Sequence, residues 1–134
     1  MTLDPDAVLD GVLQRTLPKP AWTHEAHVAA CWAAVRQHGV DGALTLLRAG
    51  IKQYNEATGV ANTPTSGYHE TITRYYVGAV GRIAERPFAD VVADPTVGRD
   101  GPLVHWSRDR LFTREARASW VEPDLVPLPS DDRP

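Results

Sequence analysis

Apolar positions recur at spacings of three and four along most of the chain, and no segment shows the two-residue alternation of a half-buried strand. Val8, Leu9, Val12 and Leu13 predict a short first helix, with Asp4 at its N-cap and Pro5 at its first helical position. The LPKP segment, Leu17 to Pro20, ends it, because proline lacks the amide donor and clashes with the preceding turn. A second helix is expected between Thr23 as N-cap and Gly39 as C′ residue. Along it, Trp22, Ala26, Ala29, Ala30 and Ala33 lie on one broad side, and so many small residues predict close approach by a neighbouring helix. Asp41 caps a third helix whose stripe is Leu44, Leu47, Ile51 and Tyr54, closed by Gly59. After a Thr-, Pro- and Ser-rich turn, a fourth begins at YHET, with Ser66 or Gly67 as cap and Pro87 as stop. Its apolar stripe is Ile72, Tyr75 or Tyr76, Ala79 and Ile83.

Beyond Pro87 the signals shorten. PFADVVADP reads as one brief helix, Gly98 to Pro102 as a loop, and Thr113 as the N-cap of a last short helix. Trp106 and Trp120 are placed to pin this segment on the bundle. Four prolines after Glu122 rule out regular helix there. The expected fold is therefore all-α: a compact single-domain bundle of four to six helices with an irregular proline-rich tail. The domain is expected over residues 1–129, with 130–134 disordered.

Composition changes this picture little. A chain of 134 residues is one domain by size and large enough to bury a core without a disulfide or structural metal. A net charge of −3, with basic residues scattered, gives no footprint for nucleic acid, and nothing favours a membrane surface. The single cysteine, Cys31, excludes an intrachain disulfide; with an acidic N-terminus and no long apolar run, the expected location is cytoplasmic.

The candidate chemistry lies at two predicted helix starts. His24 and His27 are three residues apart and share a helix face, so both imidazoles can address one point. Cys31 follows on the same face as a further ligand or a small apolar neighbour. His69 and Glu70 open the fourth helix; His69, Thr73 and Tyr76 would share a face, with Glu70 turned about 100° away. Three histidines and a carboxylate suit a divalent metal, and Zn, Fe, Mn and Ni are not separated by such a set. Thr73 stands where a zincin would carry its second histidine, so a metalloprotease is excluded. There is no glycine-rich phosphate loop, nucleophile elbow or CxxC.

The segments WTHEAHVAACW, IKQYNEATG, GYHETITRYY and HWSRDRLFTREARASWVEPDLVPLP resemble a family of small bacterial helical proteins. Its marks are WxHxxH, YHETxT and WxEPDLxPLP. The resemblance spans roughly 22–129. It matches His24, His27, Tyr68, His69, Glu70, Thr71 and Thr73, and in the closing motif Ser107, Arg108, Trp120, Glu122, Pro123 and Asp124. It implies one continuous fold and no particular reaction.

Two readings follow. In the first, the chain is a metal-dependent enzyme acting on a small metabolite, with hydrolysis, lyase and oxygen chemistry all open. His24, His27 and His69 hold the metal, and Glu70 is ligand or general base beside Tyr68 and Tyr76. Asn55, Thr73 and Cys31 line the substrate pocket. In the second, the histidines are structural and the chain is a non-catalytic module that binds a small ligand or dimerises. The first demands ring nitrogens converging on one point with access to solvent. The second expects each histidine nitrogen to have a protein partner.

Overall fold

A computed structural model describes residues 3–129, so the expected disorder of 130–134 lies outside the described residues. Seven α-helical segments are present among them, and no strand. They are α1 (Pro5–Leu13), α2 (His24–Ala57), α3 (Glu70–Arg82), α4 (Phe88–Ala93), α5 (Gly101–His105), α6 (Arg108–Leu111) and α7 (Arg114–Ala118). Single 3-10 turns stand at Lys19–Ala21 and Pro95–Val97. The all-α bundle is as expected, with one more helical segment than the four to six counted from the pattern. α5 and α6, of five and four residues and too short for a periodic stripe, add two, and the fusion of the expected second and third helices into α2 removes one. Gly98 to Pro102 is accordingly only in part a loop.

The second and third expected helices run on as one element broken at Gly39, whose φ of 75° and ψ of 175° leave the helical region. A positive φ is cheap only for glycine, so the break is encoded at that residue. The limb before it presents Ala26, Ala29, Ala30, Ala33 and Ala34, all buried, and the limb after it buries Ala43, Leu47 and Tyr54. α2 packs against both α1 and α3. Contact with α1 is close: a methyl group at Gly50 would lie 2.7 Å from Leu13.

The cap of α3 differs from the expectation. It is neither Ser66 nor Gly67 but His69, whose ring Nδ1 accepts from the Ile72 amide. His69 therefore has extended backbone, φ −130° and ψ 110°, and lies outside the helix. Gly67 has φ 79°, and a Cβ there would meet the Ala61 carbonyl at 2.6 Å, so glycine is required to close the preceding turn.

The C-terminal segment is fastened by specific bonds rather than regular structure. Trp106 is fully buried; its indole N–H donates to the Val121 carbonyl at 3.0 Å, and Trp120 packs edge-on against it. Asp124 accepts from the Ser107 amide and hydroxyl at 2.8 and 2.6 Å. The Thr71 hydroxyl, buried on α3, faces the Ala116 and Ser119 carbonyls at 2.7 and 2.9 Å and accepts from the Val121 amide at 3.3 Å. No helix among the described residues is long and apolar enough to cross a membrane.

Candidate functional site

A recess of about 590 Å³ opens between the first turns of α2, the middle of α3 and the loop before α5. This is within the roughly 300–1,000 Å³ range of small-molecule sites. Val28, Cys31, Leu47, Ile51, Ile72 and Val77 give it an apolar floor. Its polar groups come from Thr23, His24, His27, Thr73, Tyr76, Arg99 and Asp100, and Trp22 forms part of the wall.

His24 and His27 both reach this recess, as their spacing on one helix face requires, but they do different work. His24 donates from Nε2 to the Val97 carbonyl at 2.8 Å. Tyr76, pointing from α3, donates its hydroxyl to the Gly98 carbonyl at 2.7 Å and reaches the Arg99 carbonyl at 3.3 Å. Together these side chains tie the 97–99 backbone to the two long helices. Burial pushes the Tyr76 phenol up, so it stays protonated and its proton is held by backbone oxygen.

His27 is the free group. Its Nδ1–H donates to the Thr23 carbonyl at 2.7 Å, one turn back along α2. The Trp22 ring stacks on it, with centroids 3.7 Å apart and planes at 27°. The residue is exposed at the rim of the recess, with Trp22 over one ring face; desolvation lowers its pKa, the Thr23 bond partly offsets this, and the neighbouring His24 and Arg99 add to the lowering. A neutral ring whose proton is fixed on Nδ1 leaves Nε2 with a lone pair and no protein partner among the described residues. That nitrogen can accept a hydrogen bond, take a proton or bind a metal.

Cys31 lies in the floor, and burial pushes its thiol up to about 12, so it acts there as a small apolar group. Thr73 also lines the recess, its hydroxyl donating to the His69 carbonyl at 2.8 Å within the helix start.

The remaining candidates are elsewhere. His69 does not line the recess. Ile72 donates to its Nδ1 at 3.2 Å, and its Nε2–H donates to the Leu111 carbonyl at 2.8 Å, so both ring nitrogens are engaged. Desolvation lowers its pKa and keeps it neutral. The expected convergence of His24, His27 and His69 does not occur, because a residue at the N-cap does not follow the helical period that relates Thr73 to Tyr76. Among the described residues no three His, Cys, Asp or Glu side chains are grouped to hold a metal ion.

Glu70 is buried and bridged by Arg48, Nε to Oε1 at 2.9 Å and Nη2 to Oε2 at 2.6 Å, while the Tyr68 hydroxyl donates to Oε1 at 2.8 Å. Burial alone would raise its pKa, but hydrogen bonds from Arg48 and Tyr68 and the Arg48 charge outweigh that and hold the carboxyl below its ordinary range. A carboxylate so stabilised is a weak base, and it joins the second limb of α2 to the start of α3. Tyr68 borders a separate groove of about 410 Å³ with Lys52, Glu56 and Arg117. Asn55 donates to the Asn62 side chain at 3.1 Å and supports the turn before α3 instead of lining the recess.

Four residues of the recess were not singled out by the sequence pattern: Val28, Val77, Arg99 and Asp100. Arg99 and Asp100 fall in the Gly98 to Pro102 segment, which was read simply as a loop. Comparison of the chain with known protein families, with curated proteins and with solved structures yields no match.

Proposed function

We propose that this protein binds a small organic molecule in the recess between α2 and α3, with His27 Nε2 as the central polar contact. The reading is carried by one observation: a concave recess with an apolar floor is lined by an imidazole whose Nδ1 proton is held by backbone and whose second nitrogen is open. An apolar pocket with a few convergent polar groups is the usual form of a metabolite site. A ligand hydroxyl or ammonium can donate to Nε2, while its apolar body displaces water from Val28, Leu47 and Ile72. If the ligand is a substrate, the same nitrogen serves as general base, since its lowered pKa keeps it unprotonated at neutral pH.

A metal in this recess is the second reading, favoured by His24 and His27 sharing it. The metal would rest on His27 Nε2 and His24 Nδ1, the two ring nitrogens left over from the bonds to Thr23 and Val97. Water or the ligand itself would complete the coordination.

Calorimetric titration of a small aromatic probe, 2-phenylethanol, tests the binding reading. Binding to the wild type that is lost in Thr73→Phe, which fills the recess from its wall, is the expected result. Equal binding to both proteins would place the probe elsewhere and overturn it. Elemental analysis after anaerobic reconstitution with Zn or Fe(II) tests the second: stoichiometric metal lost in His27→Ala supports it, and no retained metal removes it.

A further inference from the structure

Arg99 and Asp100 are adjacent residues on the rim of the recess, and both border it. Among the described residues neither side chain makes a hydrogen bond or an ion pair to protein. The backbone that carries them is nonetheless held: Val97 accepts from His24, and Gly98 accepts from Tyr76, which also reaches Arg99. Gly101 closes the turn by donating to the Gly98 carbonyl at 3.1 Å. Two opposite, solvent-exposed charges thus stand side by side on an anchored loop at the rim of the apolar-floored recess that His27 also lines.

We infer that the ligand of this recess is a small zwitterion with an apolar body, of the chemical class of an aromatic or aliphatic α-amino acid. The inference rests on the binding reading above and adds the ligand's chemistry. A carboxylate meets Arg99, whose planar fork matches it in two parallel bonds. The neighbouring ammonium meets Asp100 and has a further N–H for His27 Nε2. The side chain lies on Val28, Leu47, Ile72 and Val77. A simple anion would leave Asp100 opposing it, and a simple cation would meet Arg99 in the same way; only a molecule that carries both charges on groups joined to one carbon satisfies the pair.

The test uses four probes that share one apolar body: L-phenylalanine, 3-phenylpropionate without the ammonium, 2-phenylethylamine without the carboxylate, and 2-phenylethanol with neither. Each is titrated at pH 7 into the full chain, Arg99→Gln and Asp100→Asn, with amide resonances of Ile72 and Thr73 reporting occupancy. L-Phenylalanine is expected to bind about tenfold more tightly than either singly charged probe, the factor that one charge-assisted contact supplies at a partly exposed site. Arg99→Gln should bring L-phenylalanine down to the level of 2-phenylethylamine without weakening the amine. Asp100→Asn should mirror this with 3-phenylpropionate. If 2-phenylethanol binds as tightly as L-phenylalanine, the recess is a binding site but the zwitterion assignment is overturned. Tightest binding of 3-phenylpropionate or of the amine overturns it equally. If no probe moves the Ile72 or Thr73 resonances, the binding reading and the inference both fail.

Discussion

Replacing Glu70 with glutamine separates a structural carboxylate from a catalytic one. The side chain is 9% exposed, and it receives Arg48 through two nitrogens and the Tyr68 hydroxyl. Removing one member of a fully buried pair costs about 3–5 kcal/mol. Here the Arg48 side chain is 39% exposed and can recover water, so that figure must be discounted. Glutamine still accepts from Tyr68 but sets an amide NH2 against the guanidinium, losing one charge-assisted bond. The expected loss is about 2 kcal/mol, which for a chain of this size lowers Tm by roughly 8 °C. The pH dependence has a definite sign. Because Glu70 is held below its ordinary value of 4.5 in the folded chain, its contribution is complete above that value and fades as pH falls through the folded pKa. Urea melts from pH 7 to pH 3 should therefore show a gap between wild type and Glu70→Gln that closes below about pH 4.5. Affinity for a recess ligand should be unchanged at pH 7 and at a temperature where both proteins are folded. An unchanged melt, or stability intact with ligand affinity lost, would refute the structural assignment.

Three further outcomes follow from the same geometry. His69→Ala removes both the α3 cap and the bond to Leu111 and should cost about 2 kcal/mol, of which His69→Asn restores the capping half; equal urea midpoints for the two variants would contradict this. The low pKa of His69 means that stability drawn from the neutral ring is present above its unfolded value of 6.5 and declines as pH falls below it, a slope that His69→Asn should reduce. Thr71→Val keeps the shape but removes the hydroxyl that donates to the buried Ala116 carbonyl and accepts from the Val121 amide, so a loss of about 1–3 kcal/mol is expected by denaturant titration; a change within about 0.5 kcal/mol would show the C-terminal segment to be held otherwise. Cys31, buried and with its thiol at about 12, should react with a thiol reagent at pH 8 only on unfolding, and prompt modification of the native chain would contradict its place in the floor.

Much of the fold was legible because it rests on long, strongly patterned segments. Asp4 with Pro5, Thr23 and Thr113 cap α1, α2 and α7 as their chemistry dictates. The buried alanines of α2 and the two tryptophans of the C-terminal segment also stand where the pattern put them. The site was legible only in part. His24 and His27 meet in one recess because a regular helix relates them. His69 escaped the same logic because it caps α3 instead of belonging to it, and capping by a ring nitrogen cannot be told from spacing. Glu70 looked reactive for want of its partner: Arg48 lies 22 positions away and meets it only through the tertiary fold. Arg99 and Asp100 are two charges in a loop until that loop is tied against α2 and α3.

The most direct measurement is the side-chain ¹H–¹⁵N spectrum of the histidines, recorded with and without a saturating recess probe. His27 is expected as the neutral Nδ1–H tautomer and His69 as the neutral Nε2–H tautomer, with the probe shifting His27 Nε2 and leaving His69 unmoved. A probe that shifts His69 while His27 stays still, or a His27 ring protonated on Nε2 at neutral pH, would contradict the assignment of His27 as the open group of the site.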